Sequence, residues 1–508
     1  MTTLDLDDIQ GIVARGYGTL RAARYLLLAV HDPDAARSWL GWLIPSLTNA
    51  RTRPGNTALN AALTARALER LGLPARMLEG FAPEFVEGMV EDHRSRLLGD
   101  VGENAPGGWR WGGPTTPPTD ILLMLYGASA NDVDRHHHAL ADGFAAGGVR
   151  VVEVLDTADL DFTEHFGFND GISQPLIDGL LKPDDRGRDL TEQPIRDGEF
   201  LLGYRNEYDQ YTDRPLLHRA DDPSGILLLD AARSGRPDLG RDGTYLVFRQ
   251  LRQDVRGFWQ FIETEALRHY GTSDLETQTL LAAKMVGRWP DGAPLVLAPD
   301  QPDERLATFN DFGYLDSDPH GLKCPLGAHI RRANPRDSLQ PGSGMPVPPT
   351  VEAARRALAW TVETLQTIGG QRAIDVSRLH RLLRRGREYG PPLPPEGRWS
   401  APPDAATEPE RGLYFIGLNA NLSRQFEFVQ GTWLNNPKFN GLYDETDPLV
   451  GNHDAFGSTF TIPDTPVRHR VTGLPQFVTV QGGAYFFLPG LRALRYIASR
   501  AWSGGSPP

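Results

Sequence analysis

HFGFNDGISQP (residues 165–175) holds a single carboxylate, Asp170, between Asn169 and Gly171. Gly167 and Gly171 flank it, so the backbone is free to turn sharply and a large flat ligand has room to approach. Two later segments belong with it. CPLGAHIRRANPR (324–336) carries His329, and RLLRRGREYGPPLP (381–394) carries a run of arginines.

Outward from these segments the chain reads as alternating short elements. Residues 19–30 suit a strand or a helix. DPDAARSWLGWLIPSL (32–47) reads as a helix, with Asp32 as N-cap and Pro33 in the first turn. NTALNAALTARALERLGL (56–73) reads as an amphipathic helix on the spacing of Leu59, Leu63, Leu68 and Leu71. A buried strand is expected at 120–129, a helix at 131–147 and an alternating strand at 149–161. The pattern β-α-α-β-α-β is that of a ferredoxin-like α+β unit.

Later in the chain, a strand at 243–255 precedes helices at 256–267 and 276–289. A further helix is expected over 351–365. Residues 412–433 begin as a buried strand and continue as a helix, and 477–498 read as strand, Gly turn and helix. The fold class is therefore α+β: two ferredoxin-like units with antiparallel sheets and peripheral helices. The expected division is 1–230 and 231–508.

The three segments together resemble the dye-decolorising peroxidase family of haem enzymes. The resemblance implies a haem-dependent peroxidase that reduces hydrogen peroxide and oxidises a small organic donor such as a dye or phenol. The cofactor it implies is heme b (iron protoporphyrin IX), bound mainly by the C-terminal unit. His329 matches the family's A-H-I-R segment and is the implied iron ligand; His320 is its nearest competitor. Asp170 is the implied distal acid–base residue, and Arg384, first of RRGREYG, the implied distal cation. Arg381 and Arg385 are its alternatives. Arg331 is assigned to a haem propionate, and Phe415 and Leu418 to apolar distal walls. Gln425 or Glu427 is expected to orient the proximal histidine, and His165 either lines the distal side or caps a strand.

These residue types suit peroxide chemistry. Neutral imidazole is a common axial ligand of haem iron. Heterolysis needs a proton moved from one peroxide oxygen to the other, which a positioned carboxylate can do. A fixed cation lowers the barrier as charge develops on the departing oxygen. Two departures from compact family members stand out: His329 and Arg384 are 55 residues apart, and Arg387 and Glu388 replace an apolar residue and proline. The alternative reading is a haem-handling protein, which would keep His329 and have little need of Asp170 and Arg384.

Composition narrows the remaining classes. The 508 residues carry a formal net charge of −13, which argues against general nucleic-acid binding. The one cysteine, Cys324, excludes an intrachain disulfide and fits a reducing compartment. No apolar run approaches the roughly 18 residues of a membrane span. MTTLDLDDIQG lacks a signal pattern, so the expected location is cytoplasmic, with no membrane partner. No G-x-S-x-G, P-loop or G-x-G-x-x-G run supports a hydrolase or nucleotide enzyme. His136, His137 and His138 do not share one helix face and read as surface.

Overall fold

Residues 22–30 alternate between two apolar clusters: Leu26 and Leu28 join one, Tyr25 and Leu27 the other. An extended chain does this, because successive side chains point to opposite faces. The computed structural model describes residues 3–161, 163–181, 194–339, 373–392, 409–456 and 458–500. In it, β1 (Ala22–Val30), β2 (Thr57–Leu63), β3 (Ile121–Gly127) and β4 (Val149–Asp156) form an antiparallel array in the order β4-β1-β3-β2.

A second array repeats that order. It contains β5 (Thr244–Gln253), β6 (Leu383–Arg384), β7 (Arg387–Tyr389) and β8 (Gly412–Asn419). A separate hairpin, β9 (Thr459–Ile462) and β10 (His469–Thr472), comes before the last strand, β11 (Val478–Leu488). The order is β11-β5-β8, with β6 and β7 both paired to the far side of β8. In each array the last strand lies beside the first, and the third beside the second. This is the ferredoxin-like α+β arrangement expected twice. The arrays meet at β2 and β11, where Phe487 pairs with Leu63, and so share one nine-stranded sheet.

Helices cover the sheet. α1 (Pro33–Leu43) starts where Asp32 accepts the amides of Asp34 and Ala35, both at 3.1 Å. α2 (Ala130–Ala146) opens with a reciprocal cap between Ser129 and Asp132. α3 (Val255–Tyr270) and α4 (Leu275–Val286) pack with the Phe166–Phe168 turn in a third cluster. α5 (His329–Ala333) is a single turn, and α6 (Leu491–Ser499) lies on α1. No helix among the described residues is long and apolar enough to cross a membrane.

One element differs from its sequence reading. The helix expected over 56–73 is β2 followed by a short helix, Ala65–Arg70. Leu59 and Leu63 are four apart, a spacing that fits one face of a helix and one face of a strand equally. Leu59 in fact pairs opposite Leu125, between β3 and β11, where both faces are covered and alternation is lost. The helix expected over 351–365 lies outside the described residues.

Two buried acids join the termini of the fold. Asp8 accepts the Arg492 amide at 2.7 Å, and Tyr204 donates to Asp242. A Cβ at Gly490, just before α6, would sit 2.6 Å from Asp8 Oδ2 and 3.2 Å from Asp242 Cβ. Burial holds each above the usual carboxylate range, and the charge of Asp5 adds to this at Asp8 and that of Asp8 at Asp242. A carboxyl raised in the folded state contributes stability at acid pH that is lost as pH rises through its folded value. Asp242→Asn cannot ionise. It is expected to raise stability by on the order of 1 kcal/mol at pH 9 and by little at pH 4. Thermal melts at both values check this; an equal shift at both contradicts it.

Candidate active site

A cavity of about 300 Å³ lies against one face of the second array. Strand parity decides who lines it. From β5 come Arg249, Leu251 and Gln253, and from β8 Leu413 and Phe415. Phe415, one of the two expected wall residues, therefore lines the cavity. Leu418 does not: three residues on, it points to the opposite face and packs with Leu246 and Ile416 in the other cluster. Leu413, two residues before Phe415, takes its place on the wall.

His329 begins α5 and lines the cavity. Its Nδ1 lies 2.9 Å from Asp447 Oδ2. An ionised carboxylate only accepts, so Nδ1 carries the hydrogen and Nε2 is left toward the cavity. The other oxygen of Asp447 accepts the amides of Leu449 at 2.9 Å and Val450 at 3.0 Å. Burial disfavours charge on the imidazole, yet the charge and hydrogen bond of Asp447 outweigh it and raise its proton affinity. Burial likewise raises Asp447, and His329 with the Val450 amide brings it net below the ordinary carboxylate range.

Three features place this imidazole. Gly287 ends α4 at φ +98°, and a Cβ there would sit 2.4 Å from Ile330 Cγ1. Arg332 is fully buried and donates to the carbonyls of Trp433, Asn436 and Glu445, holding α5 to the loop before Asp447. Arg331 is also fully buried, and this corrects its expected role. It donates to Asp318 Oδ2 at 3.1 Å and to the Cys324 carbonyl at 2.7 Å, and it lies over the Tyr314 ring. Its charge is already matched, and it is absent from the cavity wall.

Asp170 and Arg384 line the same cavity. Arg384 Nη2 lies 3.6 Å from Asp170 Oδ1. Asp170 Oδ1 accepts the Gly171 amide at 2.6 Å, with Gly171 at φ +79°. The two segments are also laced by backbone: the Arg384 amide donates to Gln174 Oε1 at 3.1 Å, and Arg384 Nη2 to the Ser173 carbonyl at 3.3 Å. Both charges are felt at His329, where Arg384 lowers and Asp170 raises the proton affinity. Among the alternatives, Arg385 is spent on the carbonyls of Ile12 and Val13, whereas Arg381 also reaches the wall.

Other candidates fall elsewhere. His165 is buried with Nε2 on the Tyr389 carbonyl at 2.7 Å, and burial pushes its pKa down to about 4. Gln425 bonds the carbonyls of Glu199 and Arg381, and Glu427 pairs with Arg94 and Tyr485; neither orients His329. His320 is exposed. Arg387 donates to the carbonyls of Tyr17 and Leu20. Glu388 is pushed up to about 7, chiefly by burial and then by the charges of Asp170 and Glu164.

Sequence reasoning missed Asp447, which lies 118 residues from His329. Its Asp-Pro dipeptide signals a turn but names no partner. Also missed were Arg288 and Arg336 on the wall, both donating to Asn310 Oδ1. A third omission is His380, stacked on Phe428 at 4.0 Å and also lining the cavity.

No protein-family model matches the chain. Curated relatives do. The multifunctional dye peroxidase DyP2 of Amycolatopsis sp. is 31% identical over 515 residues, covering 96% of this chain and 95% of its own. The dye-decolorizing peroxidase msp1 of Mycetinis scorodonius is 28% identical, covering 98% and 88%. Among solved structures, DyP2 from Amycolatopsis aligns with a TM-score of 0.70 over 96% of both chains, at 28% identity. A dye-decolorizing peroxidase in complex with 2,6-dimethoxyphenol shares the fold with a TM-score of 0.72, 24% identity and coverage of 97% and 100%.

The clasp on His329 is directly testable without any ligand. Asp447→Ala strands the Leu449 and Val450 amides and frees the imidazole. It is expected to destabilise the protein by about 1–3 kcal/mol in urea unfolding. An unchanged midpoint would mean that the carboxylate holds nothing.

Proposed function

The chain belongs to the dye-decolorizing peroxidase family, and from that premise we propose how its own residues perform the reaction. It is an oxidoreductase acting on peroxide, with organic substrates as donors, and the family's enzymes contain haem. The finer reading is heme b, which His329 would hold in the cavity that Asp170 and Arg384 also line. One observation carries it: a single cavity has an imidazole with one nitrogen clasped on one side, and a carboxylate–guanidinium pair elsewhere on its wall.

The donor set fits such a group. Asp447 fixes the Nδ1–H tautomer, which leaves Nε2 as the ligating atom and increases its basicity. Arg288 and Arg336 give the wall positive charge suited to the carboxylates of a porphyrin. Phe415 and Leu413 supply apolar surface that keeps water from the reacting atoms. Bound there, haem would supply a redox-active iron that passes oxidising equivalents from peroxide to the donor.

Asp170 takes a proton from hydrogen peroxide and returns it to the departing oxygen, which leaves as water. Arg384, with its directed N–H donors, steadies negative charge on that oxygen. The donor is read as a small phenol or dye. A haem-handling protein would leave the Asp170–Arg384 pair without a role. We further propose the division into 1–230, carrying Asp170, and 231–508, carrying His329 and Arg384, and a cytoplasmic location on the strength of the single cysteine.

Rapid-mixing absorption spectroscopy tests the assignment. Asp170→Asn is expected to slow the reaction with peroxide about 10²–10⁴-fold, and Arg384→Ala on the order of 10²-fold, with the haem band retained in both. Rates within twofold of wild type in either variant would remove that residue from the mechanism.

A further inference from the structure

We propose that Glu164 is a positioning residue for Asp170: its carboxylate closes the 164–169 turn on itself and ties it to β5 through Gln253, setting where Asp170 stands against Arg384. The proposal rests on the assignment of Asp170 made above. Glu164 Oε1 accepts the Phe168 amide at 2.9 Å. Oε2 accepts the Phe166 amide at 2.9 Å and Gln253 Nε2 at 2.6 Å. The backbone closes the same turn, with the Glu164 amide on the Phe168 carbonyl at 3.0 Å and the Gly167 amide on the Glu164 carbonyl at 2.8 Å. Gly167 supplies the required positive φ, +97°.

The anchor is firm. Gln253 is the last residue of β5, which is paired on both sides, and its own amide donates to the Arg411 carbonyl at 2.9 Å. On the other flank Asn169 bonds the carbonyls of Pro290 and Asp291, just after α4. The aromatic side of the turn is packed separately, with Phe166 at 4.5 Å from Phe258. The carboxylate therefore does what packing cannot, satisfying two backbone amides within the turn, the nearer of them two residues before Asp170. An amide at position 164 cannot do this fully, because its NH₂ must face one of the backbone N–H groups or the Gln253 donor.

The test uses the full-length, haem-loaded protein and four variants: Glu164→Ala, Glu164→Gln, Asp170→Asn and the double variant Glu164→Ala/Asp170→Asn. Glu164→Ala is expected to lose about 10-fold or more in the bimolecular rate with peroxide, and Glu164→Gln less. Amide hydrogen exchange at Phe166 and Phe168 is expected to quicken about 10-fold in Glu164→Ala, a readout that does not depend on turnover. If Glu164 acts through Asp170, adding Glu164→Ala to Asp170→Asn costs less than about twofold. An equal loss in both backgrounds, or a wild-type rate in Glu164→Ala, overturns the proposal. A wild-type rate in Asp170→Asn overturns instead the assignment of Asp170 itself. Should Glu164→Ala fail to fold, Gln253→Leu cuts only the tie to β5. It is expected to give an intermediate loss, and an unchanged rate there overturns the proposal.

Discussion

A carboxylate with no solvent exposure, Asp447, is the constraint around which this site is organised. Burying an unpaired charge is costly, so Asp447 must be met by donors from its own turn and from across the fold. Two backbone amides take one oxygen and the His329 imidazole takes the other. That hydrogen bond fixes both the tautomer and the ring orientation of the histidine. Arg332 reinforces it by binding three carbonyls of the preceding loop, so the two sides of the clasp cannot drift apart without stripping a buried guanidinium.

The sheet does the rest by parity. β5 and β8 lie side by side in the second array, and their odd-numbered residues face the cavity while even-numbered ones face the opposite core. The Asp170 turn and the Arg384 strand arrive from distant parts of the chain and are joined by Ser173 and Gln174. The carboxylate and guanidinium are thereby set at contact distance before any substrate arrives. In the proposed mechanism such preorganisation lets their charges act without reorganising during the reaction.

Much of this was legible in the sequence because it is local. Asp170, His329 and Arg384 each sit in a short segment whose resemblance to the family's singled it out, and the fold brings all three to one cavity wall. The repeated strand–helix pattern pointed to both ferredoxin-like units. What failed was what depends on partners far along the chain. Leu59 and Leu63 fit a helix and a strand equally until β3 and β11 cover both faces. Leu418 was placed with Phe415 although three residues on a strand reverse the face. Arg331 was assigned by charge alone, and only the fold reveals that Asp318 and the Cys324 carbonyl already hold it. Asp447 could be read as a turn former but not as the partner of a histidine 118 residues away.

The most direct test is a crystal structure of the haem-loaded protein with cyanide as a small distal anion. Iron is expected on Nε2 of His329, with Nδ1 still on Asp447, and cyanide on the opposite side within hydrogen-bond reach of Asp170 and Arg384. Iron bound instead to His380, the other imidazole on the wall, or cyanide seated away from that pair, would contradict this arrangement.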